Sequence, residues 1–266
     1  MESPQRDSMW ASAAAYEPYV GRWSRIVAAE FLAWLARPPG LRWLDVGCGT
    51  GALTETILER AAPAEVMAVE PAAAYREYAR SRVVDRRARF LPGDARALPC
   101  ESGQFDVVVA GLVLNFVPEP AAALAEMTRA ARAGGVVATY VWDYAGEMQL
   151  MRYFWNAAVA LDPAAVELDE GRRFPLCRPE PLTSLFEHVG LARVEARAID
   201  VPTTFRDFDD YWSPFLGGQG PAPSYAMALA EERRAALRER VRADLPFAAD
   251  GSIHLIARAW AVRGNR

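Results

Sequence analysis

The sequence holds no lysine; all 30 of its basic residues are arginine. That absence removes two chemistries. A Schiff-base mechanism has no amine to start from, and the GxxxxGK[ST] loop that cradles nucleoside triphosphates has no lysine for the phosphates. Histidine is nearly absent, with only His188 and His254, so a histidine-built metal site is not expected. Cys48, Cys100 and Cys177 are scattered and odd in number, and form neither a CxxC metal pair nor a disulfide framework. No apolar run approaches bilayer-spanning length, and the opening MESPQRDSMW lacks the basic-then-apolar pattern of a secretory signal. The expectation is a reduced, cytoplasmic protein with no metal and no membrane partner.

What is present is enough for a packed core. Of 266 residues, 52% are hydrophobic and 24% charged, which suits one large α/β domain with an insertion or two small domains. The formal net charge of −4 argues against a nucleic-acid-binding face, which needs clustered positive charge.

Periodicity divides the chain. Residues 19–36 read as an amphipathic helix with Trp23, Val27, Phe31 and Trp34 at three-to-four spacing, stopped by Arg37-Pro38-Pro39-Gly40. Strands are expected at 41–46, 65–70, within 88–94, at 105–111 and at 136–143, with helices at about 51–61, 73–83 and 119–132. Gly134-Gly135 reads as the stop of the last of these helices. FDVVVAG at 105–111 is apolar almost throughout, the signature of a strand buried on both faces. Alternating strands and helices at this spacing imply a doubly wound parallel sheet, with ligands at the carboxyl ends of its strands.

Beyond 143 the character changes. Residues 146–163 put Met148, Met151, Phe154, Trp155 and Ala158 on one helical face; 164–180 is loop-like. A helix at 181–191, a strand at 192–201, a long charged helix at 224–245 and a last strand at 252–264 follow. The whole is read as a single domain: a helical cap over 1–40, a cofactor-binding core over 41–143, a helical lid insertion over 144–190, and C-terminal strands and helices over 191–266.

The stretch WLDVGCGTG at 43–51 sets Gly47, Gly49 and Gly51 between an expected strand and helix. GxGxG is a weak signal alone, since the dinucleotide fingerprint is GxGxxG. Asp45 sharpens it. A carboxylate at that strand end faces a pyrophosphate badly but suits an ammonium or sulfonium group; its plainer use is to cap the turn. Glu70 ends the second strand, where a carboxylate accepts from vicinal ribose hydroxyls. Asp94-Ala95 follows the third strand, where Asp can accept from an adenine amino group while the next backbone N–H donates to the ring. Three successive strand ends thus each carry an acid.

LDVGCGTG, AVEP, GDARALP, FDVVVAGLVLNFVPEP and GGVVATYVW, in that order over about 41–143, resemble the class I S-adenosylmethionine-dependent methyltransferases. The likeness is strongest to the small-molecule branch that includes the quinone-biosynthesis C-methyltransferases. The resemblance implies a Rossmann-like seven-stranded sheet with its last strand antiparallel, and methyl transfer to a small-molecule acceptor by in-line displacement. It implies cofactor contacts from Asp45, Gly47, Gly49, Gly51, Glu70, Asp94 and Ala95, with Gly111 and Leu112 lining the methionine side. Tyr16, Tyr19 and Arg22 are further candidates, from an N-terminal helix folded over the cofactor. Two other readings stay open: a protein of this fold that binds the cofactor without transferring methyl, and a nicotinamide-dependent oxidoreductase.

The catalytic side is less marked. Relatives often carry a histidine after strand four; here Leu114-Asn115 stands there, and Asn115 can orient a substrate or water but cannot act as a base. Asp143 and Tyr144, just past strand five, are the other candidates. Trp142, Phe154, Trp155, Trp212 and Phe215 are candidate substrate contacts, against the plainer reading of Phe154 and Trp155 as core residues. His188 and His254 are read as non-catalytic, and Cys48 as a small packed residue.

Overall fold

The structure is a computed structural model and describes residues 21–217 and 220–266. In chain order the elements are α1 (Arg22–Leu35), β1 (Arg42–Val46), α2 (Ala52–Arg60), β2 (Glu65–Val69), α3 (Ala73–Arg82), β3 (Ala88–Leu91), β4 (Phe105–Gly111) and α4 (Pro120–Ala130). Then come β5 (Ala131–Trp142), α5 (Gln149–Leu161), α6 (Glu170–Arg173), α7 (Pro179–His188), β6 (Ala192–Phe205), α8 (Phe208–Trp212), α9 (Pro221–Ala228), α10 (Glu231–Asp244) and β7 (Ile253–Asn265). Short 3₁₀ turns cover Leu114–Phe116, Pro163–Glu167 and Ser213–Gly217. The described chain divides into two compact units, one of residues 24–142, 176–199 and 259–266, the other of residues 21–23, 143–175, 200–217 and 220–258.

The first unit is built on a seven-stranded sheet of order β3-β2-β1-β4-β5-β7-β6. Strands β1 to β5 pair in parallel, while β7 runs antiparallel to β5, with Val136 opposite Asn265 and Trp142 opposite Ala259. This is the sheet the family resemblance implied, antiparallel last strand included. Val107, Val108 and Val109 of β4 have no exposed surface, as a parallel strand covered on both faces requires. On α1 the expected stripe of Trp23, Val27, Phe31 and Trp34 is buried.

Several boundaries differ from the sequence reading, two of them for a local reason. Gly134 and Gly135 do not cap a helix. The fourth helix ends at Ala130, Ala131 is already extended, and both glycines lie inside β5. Between Phe105/Ala131 and Val107/Val136 the register shifts, so β5 carries an extra loop of chain that bulges. Gly134 takes φ +72°, and a Cβ on Gly135 would sit 2.8 Å from the Arg132 carbonyl oxygen, so glycine here serves the bulge. The charged stretch 224–245 is also two helices, because Leu229 and Ala230 turn extended between α9 and α10.

The second unit has an aromatic core. Leu150, Met151, Phe154, Trp155, Ala157 and Ala158 of α5 are all buried. Phe154 stacks on Phe215 with ring centroids 4.5 Å apart and planes at 10°, and meets Trp155 edge-on at 5.2 Å. Each such pair adds about 0.5–1.5 kcal/mol beyond area burial. Within 164–180, read as loop from sequence, the chain forms the 3₁₀ turn and α6, each begun by an Asp side chain (Asp162, Asp169) accepting a backbone N–H. Among the described residues no helix is long and apolar enough to cross a membrane.

Candidate functional site

The site is built at the carboxyl ends of β1, β2 and β3, which are neighbours in the sheet. The chain leaves β1 at Val46 and turns on three glycines in the left-handed region, with φ +72° at Gly47, +52° at Gly49 and +88° at Gly51. Gly47 and Cys48 donate their N–H groups to the Val69 carbonyl, which ties the loop to the end of β2. A Cβ on Gly47 would lie 2.6 Å from Cγ2 of Val113, so no side chain fits there. Gly49 is different: nothing lies within 4 Å of where its Cβ would be. Gly51 starts α2.

Asp45 has no exposed surface. Its Oδ2 accepts from Thr54 Oγ1 at 2.6 Å, and its Oδ1 has no partner among the described residues. Burial is the main cause that pushes its carboxyl up to about 7, opposed by the Thr54 bond and helped by the nearby Glu70. Glu70 is also buried, and accepts from Gly49 N at 3.1 Å and Ala72 N at 2.9 Å; burial raises it as well. Asp94 is held from outside: Arg96 donates to it from its backbone N at 2.8 Å and its Nη2 at 2.7 Å, and that pairing lowers its pKa. Ala95 lies between them, half-buried.

β4 delivers a second cluster. A Cβ on Gly111 would lie 2.5 Å from Tyr140 Oη, so glycine makes room for the β5 tyrosine. Leu112 takes φ +59°, a strained state for leucine, and donates its N–H to the Tyr140 carbonyl. Asn115 follows in the 3₁₀ turn, its Nδ2 buried and without a partner among the described residues.

The other expected residues have structural partners. Both oxygens of Asp143 hold a turn, accepting from Gly146 N and Glu147 N at 3.0 Å each. Tyr144 is buried against Phe174, ring centroids 5.8 Å apart. Arg22 pairs with Asp210 at 3.3 Å and lies over the Trp23 and Phe205 rings. Phe154, Trp155, Trp212 and Phe215 pack on one another as core of the second unit. Trp142 is buried at the end of β5. Tyr16 and Tyr19 lie outside the described residues. His188 and His254 are exposed, and Cys48 is a buried thiol whose pKa burial raises, as expected of a packing residue. Among the described residues no cluster of His, Cys, Asp and Glu could hold a metal.

Sequence reasoning missed Thr54, Val113 and Arg96. Thr54 reaches Asp45 because the sharp glycine turn brings the first turn of α2 back over the strand end. Arg96 lies two residues past Asp94, a spacing that was legible but unread.

Taken together, the first unit offers acids at three adjacent strand ends and a bare glycine loop between them. Strands lie about 4.8 Å apart, so the three acids line an edge of roughly 10 Å. Comparison with known proteins fits this geometry. Residues 44–139 match the family described as the methyltransferase domain. This stretch of the chain is similar to a methyltransferase domain. A demethylmenaquinone methyltransferase of Roseiflexus castenholzii is 36% identical over 105 residues, which cover 39% of this chain and 44% of that enzyme. A ubiquinone/menaquinone biosynthesis C-methyltransferase of Dinoroseobacter shibae is 35% identical over 115 residues, 42% of this chain and 46% of its own length. The chain thus spans less than half the length of these relatives. Among solved structures, phosphoethanolamine N-methyltransferase 2 of Haemonchus contortus, in complex with phosphomonomethylethanolamine and S-adenosylhomocysteine, superposes with a TM-score of 0.61 at 15% identity, over 98% of this chain and 58% of that one. That likeness concerns the fold.

Proposed function

We propose that this protein transfers the methyl group of S-adenosylmethionine to a small-molecule acceptor. The observation that carries the reading is the buried, half-satisfied carboxylate of Asp45 beside the glycine loop of a methyltransferase domain. An acceptor atom buried without a partner costs about 1–3 kcal/mol, and an ammonium or sulfonium group repays it. The quinone methyltransferases among the relatives and the cofactor product in the Haemonchus enzyme support the same reading.

The residues present fit the cofactor. Glu70 keeps lone pairs beyond its two backbone bonds for a ribose diol, and Asp94 with the Ala95 N–H suits the adenine edge. Gly47 and Gly51 set the turn that leaves open space above Gly49; Gly111 and Leu112 flank the methionine side. When bound, S-adenosylmethionine supplies an electrophilic methyl group on a sulfonium sulfur. The chain's part is to align the acceptor with that methyl and to keep water out. Asn115 cannot take a proton, and the Asp143 carboxylate is committed to its turn. On this reading the protein works by positioning, and the acceptor atom reacts in a form that needs no protein base.

Calorimetric titration with S-adenosylmethionine, S-adenosylhomocysteine and NAD, repeated on Glu70→Ala, tests the cofactor. Binding of both adenosyl ligands, none of NAD, and loss in the variant is the expected result. Binding of NAD alone overturns it. Adenosyl binding without turnover on any acceptor would leave a cofactor-binding protein instead of an enzyme.

A further inference from the structure

Buried polar atoms without a partner are rare, and each calls for a physical account. Among the described residues of the first unit, three lie at the carboxyl ends of β1, β4 and β5, which are consecutive in the sheet: Asp45 Oδ1, Asn115 Nδ2 and Trp142 Nε1. Their chemistry differs in sign. Asp45 offers an acceptor. Asn115 Nδ2 and Trp142 Nε1 offer only N–H donors, and an indole nitrogen has no acceptor state to switch to.

The two donors share a region. The 3₁₀ turn Leu114–Phe116 packs against β5. Leu112 N–H is bonded to the Tyr140 carbonyl, which ties the start of this segment two residues before Trp142. Trp142 is 2% exposed, so solvent does not meet its N–H. Trp43 Nε1 is also unpartnered but belongs to the first half of β1, toward its amino end, and Thr203 belongs to the other unit. Neither lies at the ligand edge of the sheet.

We propose that the methyl acceptor is held through an oxygen, with Asn115 Nδ2–H and Trp142 Nε1–H donating to a carbonyl, phenolate or carboxylate of the substrate. This rests on the methyltransferase reading and narrows its substrate class. A cationic amine gains nothing from two donors and is excluded from this position, because a donor facing a donor leaves both unsatisfied. A carbonyl or phenolate oxygen accepts from such donors, and a carboxylate offers an acceptor to each, which fixes the orientation of the ring or chain that bears it.

The test is a ¹⁵N–¹H correlation spectrum of the full chain saturated with S-adenosylhomocysteine. The protein has eight tryptophans, so the indole region is sparse. The Trp142 signal is assigned by its loss in Trp142→Phe, or by triple-resonance assignment of the native protein if that variant does not fold. Cyclohexanone and cyclohexylammonium are then titrated as probes of one size and opposite chemistry. The expected result is a saturable downfield shift of the Trp142 indole N–H and the Asn115 amide with the ketone, none with the amine, and a still Trp43 signal. Asn115→Leu should weaken the ketone response. The proposal is overturned if the ketone moves neither signal, if the amine moves them instead, or if S-adenosylhomocysteine alone moves both and the ketone adds nothing, since the donors would then serve the cofactor. Failure of S-adenosylhomocysteine to bind would sink the methyltransferase reading separately, and the ketone response of the unliganded protein would still decide the role of the two donors.

Discussion

Thr54 Oγ1 donates a 2.6 Å hydrogen bond to one oxygen of Asp45, and the other oxygen of that carboxylate has no partner among the described residues. Burial thus outweighs the hydrogen bonding from Thr54, and Asp45 titrates near 7 instead of 3.8. Between those values the folded protein holds a proton that the unfolded chain has released. Stability must then fall as pH rises from about 4 to about 7, by up to about 4 kcal/mol. Asp45→Asn should flatten this slope and be the more stable protein at pH 8. Urea unfolding of both proteins at pH 5 and pH 8 measures it; parallel pH profiles would show that Asp45 is ionised throughout.

A second buried acid makes a distinguishable prediction. Glu170, in the other unit, accepts from the Trp155 indole N–H and is pushed up to about 7, mainly by burial. The indole bond favours the ionised form. Trp155→Phe removes it, so Glu170 should titrate higher still. At pH 5 the native carboxyl is already neutral and the loss is small. At pH 8 the variant should be less stable by a further 1–3 kcal/mol or so. An equal loss at both pH values would mean that the indole contributes packing alone.

These acids show what a linear sequence discloses. Asp45, Glu70 and Asp94 were legible because each lies at a fixed offset from a strand whose apolar run announces it, and parallel neighbours carry those ends to one edge. β4 was legible to the residue, since nothing polar interrupts its burial except Asp106. The second unit was not. Whether Phe154 and Phe215 line a pocket or stack on each other depends on a contact across 61 positions, which periodicity does not encode. Arg22 looked free for a carboxylate because its partner Asp210 lies 188 residues away. The glycines at 134 and 135 misled for a local reason: a helix stop and a β-bulge both ask for the positive φ that Gly134 takes.

Within the glycine loop, two substitutions of the same kind should part company. Gly47→Ala forces a Cβ to 2.6 Å from Val113 in a left-handed conformation, and should cost about 2–4 kcal/mol of stability. Gly49→Ala meets no atom within 4 Å and bears only the backbone strain, about 1–2 kcal/mol. Its methyl would occupy the open space above the loop, so adenosyl binding should drop at least tenfold while the fold survives. Thermal unfolding and calorimetry on the two variants check the pair. Full binding by Gly49→Ala would move the ligand away from this loop.

The titration of Asp45 also reaches the ligand. A cation gains from the ionised carboxylate and not from the neutral acid, so binding of S-adenosylmethionine must draw the proton off Asp45. Below about pH 7 that proton has to be displaced, and the dissociation constant should rise up to tenfold for each unit of acidification; above it, affinity should level off. Glu70 lies close enough to raise Asp45, and any ligand that bridges them would feel both. Two variants separate the contributions. Asp45→Asn should bind weakly and without pH dependence, because no proton is left to displace. Glu70→Gln should bind weakly but keep the slope, shifted to lower pH by the loss of a neighbouring negative charge. Calorimetry at pH 5.5, 6.5, 7.5 and 8.5, about a unit apart across the transition, in buffers of different ionisation enthalpy counts the protons released. Release of about one proton near pH 6 that vanishes in Asp45→Asn is the expected signature; release that persists in that variant would assign the titration to another group.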